Sequence, residues 1–161
     1  MTQFHLAQAN FARMQASPDD PALADFVARL DEINLLAEQS PGFVWRYVSD
    51  ARNPGDREFD DPLILFNMSV WQSAEHLHDY AYKSAHGKVF AQRGKWFEKI
   101  ATPQIVLWWI EAGMQPTVKE AKQKLELIAK RGPGPRAFNF RVRYEADGTP
   151  AAGKKPQAAA A

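Results

Sequence analysis

Cysteine is missing from this chain altogether. Its absence removes disulfide staples, thiolate nucleophiles and zinc–thiolate sites together, and it suits a reducing, cytoplasmic setting. Long hydrophobic runs are missing as well. The longest, Ile105 to Ile110, is six residues, whereas a membrane-spanning helix needs roughly 20, so no membrane partner is expected. Met1 to His5 has neither the basic region nor the apolar stretch of a signal peptide. Neither charge sign is in excess: 20 basic residues against 19 acidic ones leave a net charge of +1, which gives no field for holding nucleic acid. No Gly-x-Gly-x-x-Gly follows a strand, no Gly-x-Ser-x-Gly elbow occurs, and no His-Glu-x-x-His appears. The carboxylates fall in loops or on helix surfaces, so a paired-carboxylate site is not supported.

What the chain does have is apolar and aromatic material. Hydrophobic residues make up 45% and aromatics 12% of 161 residues, enough to build one core without a covalent or metal staple. Phe4 to Ala12 reads as a strand. Asp20-Pro21 opens a helix whose apolar positions Leu23, Phe26, Val27, Leu30, Ile33 and Ala37 share one face, and Pro41-Gly42 stops it. Phe43 to Val48 and Leu63 to Trp71 read as strands, the second apolar on both faces. Ser73 caps a helix from about Ala74, with a break near Gly87 or Gly94 and helical spacing carried on through Ile100. Gln104 to Ile110 is a fourth strand. Pro116-Thr117 opens a last helix ending at Gly132, followed by Ala137 to Tyr144 as an edge strand or arm. Gly132-Pro133-Gly134-Pro135 reads as a turn.

The order β-α-β-β-α-β predicts an α+β, ferredoxin-like split βαβ fold, with a four-stranded antiparallel sheet and helices on one face. The other face is apolar too, and a second copy packed sheet to sheet would cover it, so a homodimer is expected. The domain is assigned to 1–143, and the Ala/Gly/Pro/Lys composition of 144–161 predicts a disordered tail.

The richest stretch runs from Trp71 to Phe97. His78, Tyr82 and His86 are spaced four apart, so on a continuous helix they form one stripe. His76 and His78 point nearly opposite ways, which argues against a His-x-His metal clamp. His86 is the leading site residue, either as a general base or axial iron ligand, or as a half-buried imidazole bonded to a backbone carbonyl. Asn10 and Asn67 sit among apolar strand neighbours, where an amide must find partners; Gln8 shares the face of Asn10. Each either hydrogen-bonds a substrate or fixes a loop. Trp71 and Trp96 are the tryptophans assigned to a pocket wall, with Tyr82. Trp108 and Trp109 are adjacent on a strand and face opposite sides. Arg93 either holds an anionic group or is an exposed helix arginine.

Several phrases together resemble a known family. They are Leu6 to Arg13, Ser40-Pro41-Gly42-Phe43-Val44-Trp45-Arg46, Asn67-Met68-Ser69-Val70-Trp71-Gln72-Ser73, Tyr82 to His86, Trp96-Phe97, Leu107-Trp108-Trp109 and Gly132 to Phe138. They resemble the family DUF 3291, which is similar to dimeric α/β-barrel proteins. That group includes antibiotic-biosynthesis monooxygenases, heme-degrading monooxygenases and chlorite-dismutase-like heme enzymes. The resemblance implies a dimeric α/β barrel and a small monooxygenase-like oxidoreductase. It would act on an apolar or aromatic molecule between sheet and helices, with either no cofactor or a heme. In the heme version His86 is the iron ligand, with Asn10 and Trp71 beside it. The alternative is a non-catalytic small-molecule-binding or stress-related domain of the same fold.

Overall fold

In a computed structural model, residues 2–48 and 59–152 are described. Four strands, β1 (Phe4–Arg13), β2 (Phe43–Arg46), β3 (Ile64–Trp71) and β4 (Ile105–Glu111), form one antiparallel sheet in the order β2-β3-β1-β4. Register follows from side-chain alternation. Leu6, Gln8 and Asn10 stand opposite Trp71, Ser69 and Asn67, so these six share one face; Ala7, Ala9, Met68 and Val70 share the other.

Helix α1 (Ala24–Gln39) enters through a short turn, Pro21–Leu23, capped by the Asp20 carboxylate, which accepts from the Ala22 N–H at 2.9 Å. Its Ala37 packs with Ala74 and Leu77 of α2 (Ala74–His78) on Leu6, Trp71 and Leu107. At the other end of α1, Phe26 joins Met14, Leu23 and Trp96 in a separate cluster. Gly42, at the turn into β2, has φ +81° and lies against the His76 ring, so a side chain there is barred twice over.

The two helices of the split βαβ pattern therefore lie on one face, as the sequence predicts. The last helix, α4 (Val118–Arg131), lies on the other. Its Ala121, Leu125 and Ile128 pack on Ala7, Ala9, Val106 and Trp108, and the Trp108 indole N–H donates to Glu120 at 3.1 Å. Phe59 adds to this cover through contacts with Phe11 and Phe66. The apolar face on which the expected sheet-to-sheet dimer rested is thus largely covered by the chain itself.

The packed chain also runs further than composition predicts. Phe138 exchanges two hydrogen bonds with Leu107 at the outer edge of β4, at 2.8 and 2.9 Å. The Trp109 indole N–H donates to the Tyr144 carbonyl at 2.7 Å, and residues 145–150 close a turn on themselves. Two aromatic anchors, Phe138 and Tyr144, hold an arm whose other residues look tail-like. Of the expected tail, residues 153–161 lie outside the described residues.

The helix from Ala74 breaks, but earlier than the glycines expected to break it. After α2 the chain makes a wider π turn over Asp79–Lys83, breaks at Ser84, and restarts as α3 (Ala85–Ala91). Ser84 rather than Gly87 or Gly94 is the breaking residue. Its backbone is extended, its hydroxyl accepts from the His86 N–H at 3.1 Å, and the same hydroxyl donates to the Tyr80 carbonyl. Helix ends at Ala91, short of the expected Ile100, because Trp96 to Glu98 turn back to hydrogen-bond the end of β1.

Gly87 permits the tight break. A Cβ on it would lie 2.5 Å from the Tyr82 carbonyl oxygen. Gly87→Ala is expected to lower stability by about 1–3 kcal/mol through this overpacking, read as a shift in the urea unfolding midpoint; an unchanged midpoint would show that the break is loose.

Candidate functional site

The sheet face beneath α1 and α2 carries a connected polar row. Gln8 is its hub. Its amide nitrogen donates to Asn67 Oδ1 and to Ser69 Oγ, both at 2.8 Å, and its oxygen accepts from Asn10 Nδ2 at 2.8 Å. The Trp71 indole N–H donates to the same Ser69 hydroxyl at 2.9 Å. Gln8 and Ser69 are buried, Asn10 is half-buried and Asn67 is exposed. The row therefore runs from a dry end at Trp71 to a wet end at Asn67. At that end Asn10 Oδ1 and Asn67 Nδ2 have no partner among the described residues, leaving an acceptor and a donor on paired residues of adjacent strands. Burying Gln8 and Ser69 is tolerable only because each is satisfied.

A line of rings leads away from the dry end. The fully buried Trp71 stacks on Tyr80, with centroids 4.9 Å apart and planes 24° apart. Tyr80 lies 4.9 Å from the His86 ring, and His86 is stacked with Phe90 at 6.3 Å. The Tyr80 hydroxyl donates to the Ile33 carbonyl of α1 at 3.2 Å, tying the π turn to that helix. Burial pushes its phenol up to about 12, the nearby Arg46 charge acting in the opposite direction.

His86 is half-buried, and its Nδ1 lies 3.0 Å from the Ala81 carbonyl. A carbonyl only accepts, so Nδ1 carries the proton and Nε2 of the neutral ring carries the lone pair. The backbone-bonded alternative for His86 is therefore realised, and the same bond prepares the ring as a base. No other partner of Nε2 appears among the described residues.

The other sequence candidates are dispersed. Tyr82 is not on a stripe with His86: the π turn changes the helical phase, so Tyr82 meets His78 at 4.8 Å, Phe90 and Phe140, and stays exposed. Trp96 is 3% exposed and packs on Phe26, which makes it core rather than pocket wall. Trp71 is likewise core. Arg93 is exposed, with its guanidinium 4.3 Å over the Phe90 ring and donating to the Phe90 carbonyl at 3.2 Å. Ser69 and Tyr80 are the residues the sequence reading passed over, and Gln8, noted only beside Asn10, is the hub. Gln8 had the signal of sharing a face with Asn10. Tyr80 had none, because its placement depends on the break at Ser84.

The His86 ring neighbours two others, Tyr80 and Phe90. Two hollows stand out on the molecule, of about 230 and 190 Å³, lined respectively by the outer side of α1 and by the 132–137 loop. Both are below the roughly 300–1,000 Å³ of ordinary ligand pockets, and neither touches His86. Among the described residues no group of three or more His, Asp or Glu side chains could hold a metal ion, and no helix is long and apolar enough to cross a membrane.

The buried phenol gives a direct check. The folded state favours neutral Tyr80, so its contribution to stability is complete below pH 10, the free-tyrosine value, and is lost as pH rises through about 12. In an alkaline absorbance titration, the difference between wild type and Tyr80→Phe should be one tyrosine ionising near 12; a difference centred near 10 would place Tyr80 in water.

Comparison with known proteins gives a family and an outline. A search of curated proteins finds no match. Among solved structures, a Nitrosomonas europaea protein named as a candidate antibiotic biosynthesis monooxygenase is 14% identical. It superposes with a TM-score of 0.44, covering 73% of this chain and 96% of its own. A protein of unknown function from the same organism is also 14% identical, with a TM-score of 0.42 and coverage of 73% and 95%. A Chloroflexus aurantiacus protein, again named as a candidate antibiotic biosynthesis monooxygenase, is 13% identical, with a TM-score of 0.42 and coverage of 71% and 98%. The family described as a domain of unknown function, DUF3291, matches residues 5–155, nearly the whole chain. The chain belongs to the DUF3291 family.

Proposed function

We propose that this chain is a cofactor-independent, monooxygenase-like enzyme acting on an aromatic small molecule with an acidic C–H conjugated with a carbonyl. The observation that carries this reading is the His86 ring: its Nδ1–H is committed to the Ala81 carbonyl and its Nε2 lone pair has no described partner. A neutral imidazole so fixed is a general base for C–H removal.

The second element is the wet end of the polar row. The Asn67 amide N–H offers a donor to a distal polar group of the substrate, since the ring line that reaches His86 starts from the opposite, Trp71 end of the row. Asn10, whose Oδ1 is unpartnered, accepts from a substrate hydroxyl. The carbanion passes its electrons to oxygen, and the balance is R–CH₂–R′ + O₂ → R–CO–R′ + H₂O. His86 takes the proton and returns it to the leaving water, so no heme or metal is required. The alternative is binding of the same molecule without turnover. The close packing around Trp71 and Tyr80 favours it, since it leaves little room for a reacting substrate to move.

The test uses an anthrone as probe, with tryptophan fluorescence for binding and an oxygen electrode for turnover. Oxygen uptake matching ketone formation is expected, reduced about 10²–10⁴-fold in His86→Gln. Fluorescence quenching with no oxygen uptake would select the binding reading. Neither signal would remove both.

A further inference from the structure

The loop that follows α4 folds back on the helix and gathers positive charge. Lys124, Leu127 and Arg131 lie on one side of α4, at spacings of three and four. Gly132 leaves the helix with φ +71°, and two hydrogen bonds between Gly134 and Ala137, at 2.8 and 3.1 Å, pin the turn. This carries Arg136 back towards α4; partial burial holds the Lys124 amine below its ordinary range, Glu120 opposes that, and the Arg136 charge adds a smaller push in the same direction as burial. Between helix and loop is a hollow of about 190 Å³ lined by Leu127, Arg131, Pro133, Pro135, Arg136 and Ala137.

The nearby acids leave Arg131 and Arg136 unpaired. Glu126 pairs with Lys130 at 2.6 Å, and Glu120 accepts from the Trp108 indole at 3.1 Å while also facing Lys124. Among the described residues neither Arg131 nor Arg136 has a salt-bridge or side-chain hydrogen-bond partner. Arg131 and Arg136 are exposed, so water screens their mutual repulsion and both guanidinium groups are open to an anion. Arg131 also complements the negative C-terminal end of α4; that accounts for one cation, not for a loop that brings in Arg136.

We infer that this hollow is a binding site for a compact organic anion, a carboxylate or phosphate group on a small apolar body. Arg131 and Arg136 supply forked donors for the anionic group. Lys124 supplies a third positive charge, and Leu127, Pro133 and Pro135 form the wall for the apolar body. The site lies at the α4 end of the molecule, involves none of His86, Asn10 or Asn67, and stands whether or not the oxidative reading holds.

The experiment is an amide NMR titration at constant ionic strength with three probes: inorganic phosphate, benzoate and chloride. The expected result is saturable shifts at Arg131, Gly132, Gly134 and Arg136 with phosphate, benzoate or both. The dissociation constant should be about 1 mM or tighter, and should weaken about tenfold in Arg136→Gln and in Lys124→Gln. Saturation by phosphate alone assigns a phosphoryl ligand and by benzoate alone a carboxylate. No saturation beyond the chloride control, or saturation unchanged in both variants, overturns the proposal. Arg136 is exposed and Lys124 half-buried, and an intact amide spectrum confirms that the fold survives in each variant.

Discussion

The serine hydroxyl at position 84 does two things at once: it donates to the Tyr80 carbonyl and accepts from the His86 N–H. The first bond closes the π turn and the second starts α3. With this break, Tyr80 lies between Trp71 and His86, and the Ala81 carbonyl faces the imidazole. A straight helix would put His86 on the stripe of His78 and Tyr82. The candidate base thus exists as a consequence of one capping residue, made possible by a glycine at 87 whose missing Cβ lets the carbonyl of Tyr82 approach.

The sheet supplies the other half of the arrangement. Two apolar clusters, around Trp71 and around Trp96, sit at opposite ends of one sheet face. Gln8 and Ser69 lie buried between them, and neither could be there without the bonds that run out to Asn10 and Asn67. Because the hub is Gln8, loss of its side chain would strand several polar groups at once, a heavier cost than loss of either exposed amide. Among the described residues the buried core of the opposite face is the apolar surface that α4 covers.

The strands and both long helices were legible because each carries a clear period: alternation in β1 and β3, and spacing of three and four with good caps in α1 and α4. The split βαβ order followed from them. The covering of the second face was not legible, since the apolar stripe of α4 fits a partner's sheet as well as its own, and pattern alone does not choose. At the site, His86, Asn10 and Asn67 stood out as polar residues in apolar company. Trp96 is grouped with them as an expected pocket wall. Grouping Tyr82 with His86 assumes that the helix is continuous between them. The residue that refutes that assumption is Ser84, which reads in sequence as an ordinary helix serine unless its extended backbone is known. Trp71, read as a pocket wall, anchors the ring stack from inside the core.

The account rests on the state of one imidazole. Nitrogen NMR of His86, with the ring labelled and the resonance assigned by its loss in His86→Gln, reports which nitrogen carries the proton in the neutral ring. The structure requires a protonated Nδ1 and a bare Nε2. A ring protonated at Nε2, or an even mixture of the two tautomers, would contradict the bond to Ala81 and with it the base that the reading of this site depends on.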